Sequence, residues 1–142
     1  MENWAERATR ALSDAGYRRG GARSAVLELL DEQRCALSAV DIEDALRGRS
    51  RRVARASVYR ILEQLEALHL VQRVETGRSM VRYEPVRRGE GHHHHLVCDA
   101  CGLLIPFSDD ELERTIRKLS ARVPIEVSEH EIVLHGACES CR

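Results

Sequence analysis

Apolar residues recur at helical spacing through the first two thirds of the chain. Trp4, Ala8, Ala11 and Leu12 share one face of a helix predicted over residues 4–15, with Gly16 as its stop signal. Val26, Leu27, Leu29 and Leu30 give a second helix over 22–32 a broad apolar face. Ser38 followed by Asp41 has the spacing of a capping box and opens a third helix through Ile42, Ala45 and Leu46, ended by Gly48. A fourth carries Val58, Ile61, Leu62, Leu65 and Leu68. Then the period changes from helical to two. LVQRVET and SMVRYEP alternate on either side of Gly77-Arg78, the pattern of a hairpin.

Polar, glycine-containing residues 86–91 separate this part from the rest and read as a linker. HLVCDAC and GLLIPF follow as two short strands with a turn at the cysteines. Residues 109–123 form a helix with Leu112, Ile116, Leu119 and Val123 on one face and Ser108 as its cap. IEVSEHEIVLHG, residues 125–136, is a long strand whose apolar phase slips, predicting a bend near Glu129. The fold class is α+β. Residues 1–85 form a winged helix-turn-helix, 86–91 a linker, and 92–142 a small α/β domain.

Charge divides the same way. Through residue 88 there are 17 arginines against 13 acids, a balance of +4; beyond it 4 arginines and 1 lysine face 10 acids, a balance of −5. A basic half beside an acidic, His- and Cys-rich half implies two tasks. Within RGRSRRVAR, Arg51, Arg52 and Arg55 lead into the fourth helix and suit phosphate contacts. Ser57, Tyr59 and Arg60 lie off that helix's apolar stripe, where base edges are read, and Arg78 sits at the hairpin tip. Double-stranded DNA is the expected partner. No apolar run approaches the ~20 residues of a membrane span. The N-terminal MENWAERATR lacks the apolar core of a signal peptide, so the expected location is the cytoplasm, with no membrane partner.

Cys98 and Cys101 form one C-x-x-C pair, Cys138 and Cys141 another. Four thiolates suit a tetrahedral structural zinc, with no position left for a reacting water. His92 to His95 follow one another directly. In a strand alternate side chains face opposite ways, so His92 and His94 serve one side and His93 and His95 the other. His92, His94, Glu113 and His130 make a candidate N3O metal site. His93 and His95, with Glu84 at the end of the hairpin, make a second.

ASVYRILEQLEALHLV, HHHHLVCDACG and the terminal H-x-x-x-x-x-G-x-C-x-x-C resemble the ferric uptake regulator family of bacterial metal-dependent repressors, from GYRRGGAR at residue 16 to Cys141. The resemblance implies a homodimer, with an N-terminal winged helix on operator DNA and a C-terminal dimerisation domain closed by a sensed divalent metal. It matches the four cysteines to a structural zinc site. His92, His94, Glu113 and His130 match a site within the dimerisation domain, and Glu84, His93 and His95 the interdomain sensing site. Arg18 falls where a basic residue meets the minor groove, and Tyr59 and Arg60 on the recognition helix.

Some positions depart from the family pattern. Ala36 stands where iron- and peroxide-sensing members have a histidine, and Pro106 replaces an acidic ligand, which turns the expectation away from peroxide sensing. Gln72 and Pro85-Val86 stand where zinc-sensing members carry Asp and Cys. Cys35, beside the missing histidine, is a further candidate ligand of the sensing site. The cofactors expected are a structural zinc and a second divalent metal, zinc or iron, with manganese as a third candidate. The expected function is repression of metal-homeostasis genes. Two alternatives are a zinc-dependent hydrolase and a DNA-binding module in which metal is only structural.

Overall fold

The computed structural model describes residues 1–33, 35–77, 80–89 and 92–142. The chain divides into two compact units, Met1–Glu90 and Gly91–Arg142.

The first unit holds α1 (Trp4–Asp14), α2 (Gly21–Glu32), α3 (Ala39–Gly48), α4 (Arg55–Ala67) and the antiparallel hairpin of β1 (Val71–Glu75) and β2 (Val81–Pro85). Its core is aliphatic. Leu12, Leu27, Leu29, Leu30, Ile42, Leu46, Leu62 and Leu65 are fully buried, and the Trp4 indole reaches across to donate to the Leu70 carbonyl at 2.9 Å. Both halves of the capping box at Ser38 and Asp41 are made, at 3.1 Å each, so the start of α3 is set locally. A bridge between Leu37 and Tyr83 ties the segment before α3 to the hairpin.

Three helices end in one way: the amide two residues past the cap bonds back into the last turn, and the residue between adopts a left-handed backbone. In α1 that residue is Gly16 (φ 88°), with Tyr17 donating to Leu12. In α3 it is Ser50 (φ 58°), two residues beyond the predicted stop at Gly48, with Arg51 donating to Leu46. In α4 it is His69 (φ 56°), with Leu70 donating to Leu65. Gly48 lies inside α3 because the register of buried Ile42 and Leu46, not the glycine, decides where that helix stops packing.

Part of the stretch read as linker is held. The Arg87 guanidinium donates to the Asp31 carboxylate at 2.8 Å and to the Asp31 carbonyl at 2.7 Å, where α2 exposes unbonded carbonyls.

In the second unit β3 (His94–Cys98) is central. It pairs antiparallel with β4 (Leu104–Phe107) and parallel with β5 (Val133–Gly136), and α5 (Asp110–Ser120) lies in the crossover. Asp109, not Ser108, caps α5, accepting from the Leu112 amide at 2.8 Å; its full negative charge suits the positive helix end better than a hydroxyl. The helix stops at Ser120, short of Val123, because Pro124 disfavours a helical residue before it. The long strand expected over 125–136 is a strand only across its last four residues. A strand needs a ladder partner, and β3 supplies one from His95 to Cys98 alone; Ile125 and Val127, upstream, are exposed.

Candidate metal centres and nucleic-acid interface

The cysteine cluster is built by the ends of two neighbouring strands. The β3–β5 register sets Cys98 beside Gly136, and the Asp99 amide continues the ladder to the Gly136 carbonyl at 2.9 Å. Two residues on, the Cys138 amide donates to the Cys98 sulfur at 3.4 Å. Each C-x-x-C then folds into a tight turn, with Gly102 donating to the Cys98 carbonyl and Cys141 to that of Cys138. Gly102 has φ 79°, a conformation that glycine adopts without strain.

The four sulfurs lie within 4.8 Å of one another, and those of Cys101 and Cys138 are 3.8 Å apart. A disulfide would need ~2.05 Å. A tetrahedron with Zn–S near ~2.3 Å has an edge of roughly 3.8 Å. The donor set fits zinc in both chemistry and spacing. The Cys138 amide, with other backbone amides, lowers the Cys98 thiol to about 6. Sharing its proton with Cys138 and the other sulfurs pushes Cys141 up to about 12. Such a set holds four thiolates at neutral pH only with a cation among them. Beside it, His135 Nδ1 lies 2.9 Å from the Asp99 carboxylate. Neither residue stood out in the sequence, although each is within three positions of a cysteine.

The second cluster gathers His92, His94, Glu113 and His130, with one donor atom of each within 4.8 Å of the others. His92 and His93 precede β3, yet the alternation carries past its start: the rings of His92 and His94 lie 4.4 Å apart, and those of His93 and His95 5.0 Å apart. The fully buried His94 is held at both ring nitrogens: Nδ1 accepts from the Ile132 amide at 3.2 Å and Nε2 meets Glu113 Oε1 at 2.6 Å. His130 meets the other Glu113 oxygen at 2.8 Å from the irregular segment before β5, not from a strand. Burial alone would raise the Glu113 carboxyl. Hydrogen bonds from His94 and His130, with His92 nearby, outweigh it and hold the carboxyl below the usual value. Burial first, then the neighbouring His94, holds His92 below the usual histidine value, so its lone pair persists at neutral pH. Three imidazoles and one carboxylate fit a borderline divalent ion such as zinc, iron or manganese.

The remaining candidates fall in separate units. His95, like His94, is buried. Glu84 is buried in β2 opposite Gln72, whose amide donates to it. Cys35 is half-buried between α2 and α3, and burial pushes its thiol up, which disfavours a thiolate there.

Tyr59 and Arg60 project from the exposed side of α4, opposite buried Val58, Ile61 and Leu62. Ser57 is partly exposed, 3.5 Å from Arg60. Arg18 and Arg52 are exposed. Arg51 and Arg55 are exposed too, but each carries an ion pair, with Glu28 at 2.9 Å and Glu43 at 2.7 Å. Arg78 lies outside the described residues. Arg23, not singled out in the sequence, is buried, and its guanidinium donates to the carbonyls of Tyr17 and Arg18 at 3.3 and 3.1 Å, shaping the backbone at Arg18. Among the described residues no helix is long and apolar enough to cross a membrane.

Residues 14–135 match the model of the ferric uptake regulator family. The chain belongs to that family. The ferric uptake regulation protein of Bacillus subtilis (strain 168) is 32% identical over 143 residues, covering 99% of this chain and 96% of that protein. The Vibrio cholerae ferric uptake regulator, whose crystal structure is described as revealing a rearrangement of its DNA-binding domains, superposes with a TM-score of 0.81 at 31% identity, covering 92% of this chain and 98% of that one. The Helicobacter pylori ferric uptake regulator, described as having three functional metal-binding sites, reaches 0.83 at 26% identity, covering 99% and 97%. Family members are metal-responsive DNA-binding transcriptional regulators, not enzymes, and this protein is one of them. The hydrolase alternative is thereby excluded.

Proposed function

We propose that this protein is a repressor of metal-homeostasis genes that binds operator DNA as a homodimer when loaded with a divalent metal. One observation carries the reading: His92, His94, Glu113 and His130, drawn from three separate segments, present converging donor atoms in a partly buried cluster, in the same unit as a complete four-cysteine set. Cys98, Cys101, Cys138 and Cys141 would hold a structural zinc. A Lewis-acidic ion bound there would neutralise the four thiolates and tie Cys138 and Cys141 to the end of β3.

His92, His94, Glu113 and His130 would hold a second ion, zinc or iron, with manganese a third candidate. The sensing role is assigned to Glu84, His93 and His95. The relative described as having three functional metal-binding sites supports a set of three here. Cys35 is a weaker candidate, given its raised thiol. Arg18, Arg51, Arg52, Arg55, Ser57, Tyr59, Arg60 and Arg78 are assigned to DNA.

A second copy of the chain is the proposed cover for the C-terminal unit. Leu96, Ile105 and Leu134 are exposed on its sheet, and α5 buries no residue, leaving Leu119 half exposed. A role on operator DNA calls for a cytoplasmic protein, and the reading includes that location.

The reading requires the metal to bind the DNA-competent state more tightly than the other, so DNA must tighten metal binding in return. The test uses protein with its cysteine site zinc-loaded and a duplex enriched from a random-sequence pool. Zn(II), or anaerobic Fe(II) or Mn(II), is titrated with and without that duplex. Tighter metal binding with DNA, lost in His93→Ala and His95→Ala, supports it. Equal metal affinity in both conditions refutes metal activation and leaves metal purely structural.

A further inference from the structure

We propose that Glu43 is a positioning residue for DNA recognition: it grips Arg55 by Nε and leaves the two terminal guanidinium nitrogens to meet the duplex. The proposal rests on the DNA reading above and adds a residue to it.

Several arginines around α3 and α4 are paired with acids, but the pairings differ. Arg49 and Arg51 give terminal nitrogens to Glu32 and Glu28, carboxylates whose side chains are themselves more than half exposed. Arg47 spends both terminal nitrogens on Glu43 and Asp44. Those contacts draw on one or both of the terminal nitrogens that end-on bidentate recognition needs. Arg55 alone in this set is held by Nε, at 2.7 Å from Glu43 Oε2. A guanidinium has five N–H donors in a rigid fork. With Nε engaged, the end-on edge, one N–H from each terminal nitrogen, keeps the geometry that matches guanine O6 and N7, or two phosphate oxygens.

Glu43 is also suited to the task by its fixed position. Its side chain is 17% exposed, and its second oxygen accepts from Arg47 at 3.2 Å. Arg55 is the first residue of α4, with a side chain 57% exposed, and stands one helical turn before Tyr59 on the same face. An unanchored arginine loses several rotatable bonds of freedom when it meets DNA. Here most of that ordering precedes binding. The carboxylate sits between two guanidinium groups, so the patch does not present a bare negative charge to phosphate.

The test compares wild type, Glu43→Ala, Glu43→Gln, Arg55→Ala and the double variant Glu43→Ala/Arg55→Ala as full-length, zinc-loaded proteins. The probes are a duplex that wild type enriches from a random pool and a scrambled duplex of the same composition. Glu43→Ala is expected to weaken binding to the enriched duplex about fivefold to tenfold, with a smaller effect on the scrambled one. Glu43→Gln, whose amide oxygen still accepts from Nε, is expected to stay within about twofold of wild type. In the Arg55→Ala background, Glu43→Ala should change nothing further.

Tighter binding of Glu43→Ala to both duplexes would make Glu43 a brake and overturn the proposal. A loss that persists in the Arg55→Ala background, or that tracks a fall in melting temperature, would make its role structural and overturn it as well. An Arg55→Ala variant that binds like wild type removes the proposal while leaving the DNA reading intact. A wild-type protein that enriches no duplex removes that reading itself, and the proposal with it.

Discussion

Replacing Cys138 with serine should unfold the C-terminal unit and spare the N-terminal one. The magnitude follows from what each unit buries. The N-terminal core packs a score of apolar side chains, eight of them fully buried leucines and isoleucine. Among the described residues of the C-terminal unit, Val97 and Leu104 are the buried aliphatic side chains. Full burial of such a side chain contributes about 1.5–3 kcal/mol, so the pair supplies roughly 3–6 kcal/mol. A structural zinc contributes roughly 10–16 kcal/mol of apparent binding free energy at neutral pH, and that energy is folding energy. Loss of the ion, which three sulfurs hold far less tightly than four, therefore removes more than the unit's own apolar burial supplies. Hydrogen exchange reads this directly. The amides of His95 and Asp99, which bond the carbonyls of Ile132 and Gly136, should lose protection in Cys138→Ser and in chelator-treated wild type. The amides of α2 and α4 should keep theirs. Unchanged protection at His95 and Asp99 without zinc would refute the reasoning, since the sheet would then stand on its own packing.

Two further expectations concern the cap of α3 and the histidine site. Ser38→Ala removes the acceptor for the Asp41 amide and half of the capping box, and should cost the N-terminal unit about 1 kcal/mol; an unchanged thermal midpoint would refute that role. Metal affinity at His92, His94, Glu113 and His130 should fall in acid, because an imidazole that takes up a proton has no lone pair left for a metal. His92, which burial and then the neighbouring His94 hold below the usual histidine value, keeps its lone pair further into acid than a free imidazole does. The lowered carboxyl of Glu113 contributes stability that is fully present above its unfolded value and is lost as pH falls through its folded one. Metal titration at about pH 7.5 and about pH 5.5 giving equal affinities would show that the imidazoles are not ligands.

The helices, the hairpin, the pairing of the cysteines and the alternation of the histidines were legible because their signals are local and periodic. Buried leucines at helical spacing define α2 and α4 wherever the helices go. The Ser38–Asp41 box sets its own boundary through two bonds three residues apart. A pair of C-x-x-C turns carries its geometry in its spacing, and alternation alone assigns His92 and His94 to one side and His93 and His95 to the other.

Other features depended on partners distant in the chain. Ser50 and His69 end helices in the left-handed conformation because the buried turns before them dictate where the chain must reverse; neither residue type announces this as Gly16 does. The strand at 133–136 is cut short by the length of β3, a fact about its neighbour. Glu113 could be matched to His94 and His130 by pattern, but its hold on both rings exists only because the β3–β5 register and the position of α5 bring them together. Glu43 and Arg55 are 12 residues apart, and only the packing of α3 against α4 makes them a pair. Composition and period determine which elements form and which chemistry the chain carries. Which side chains meet, and through which atoms, is decided by packing, because contacts between distant segments leave no periodic trace in the sequence.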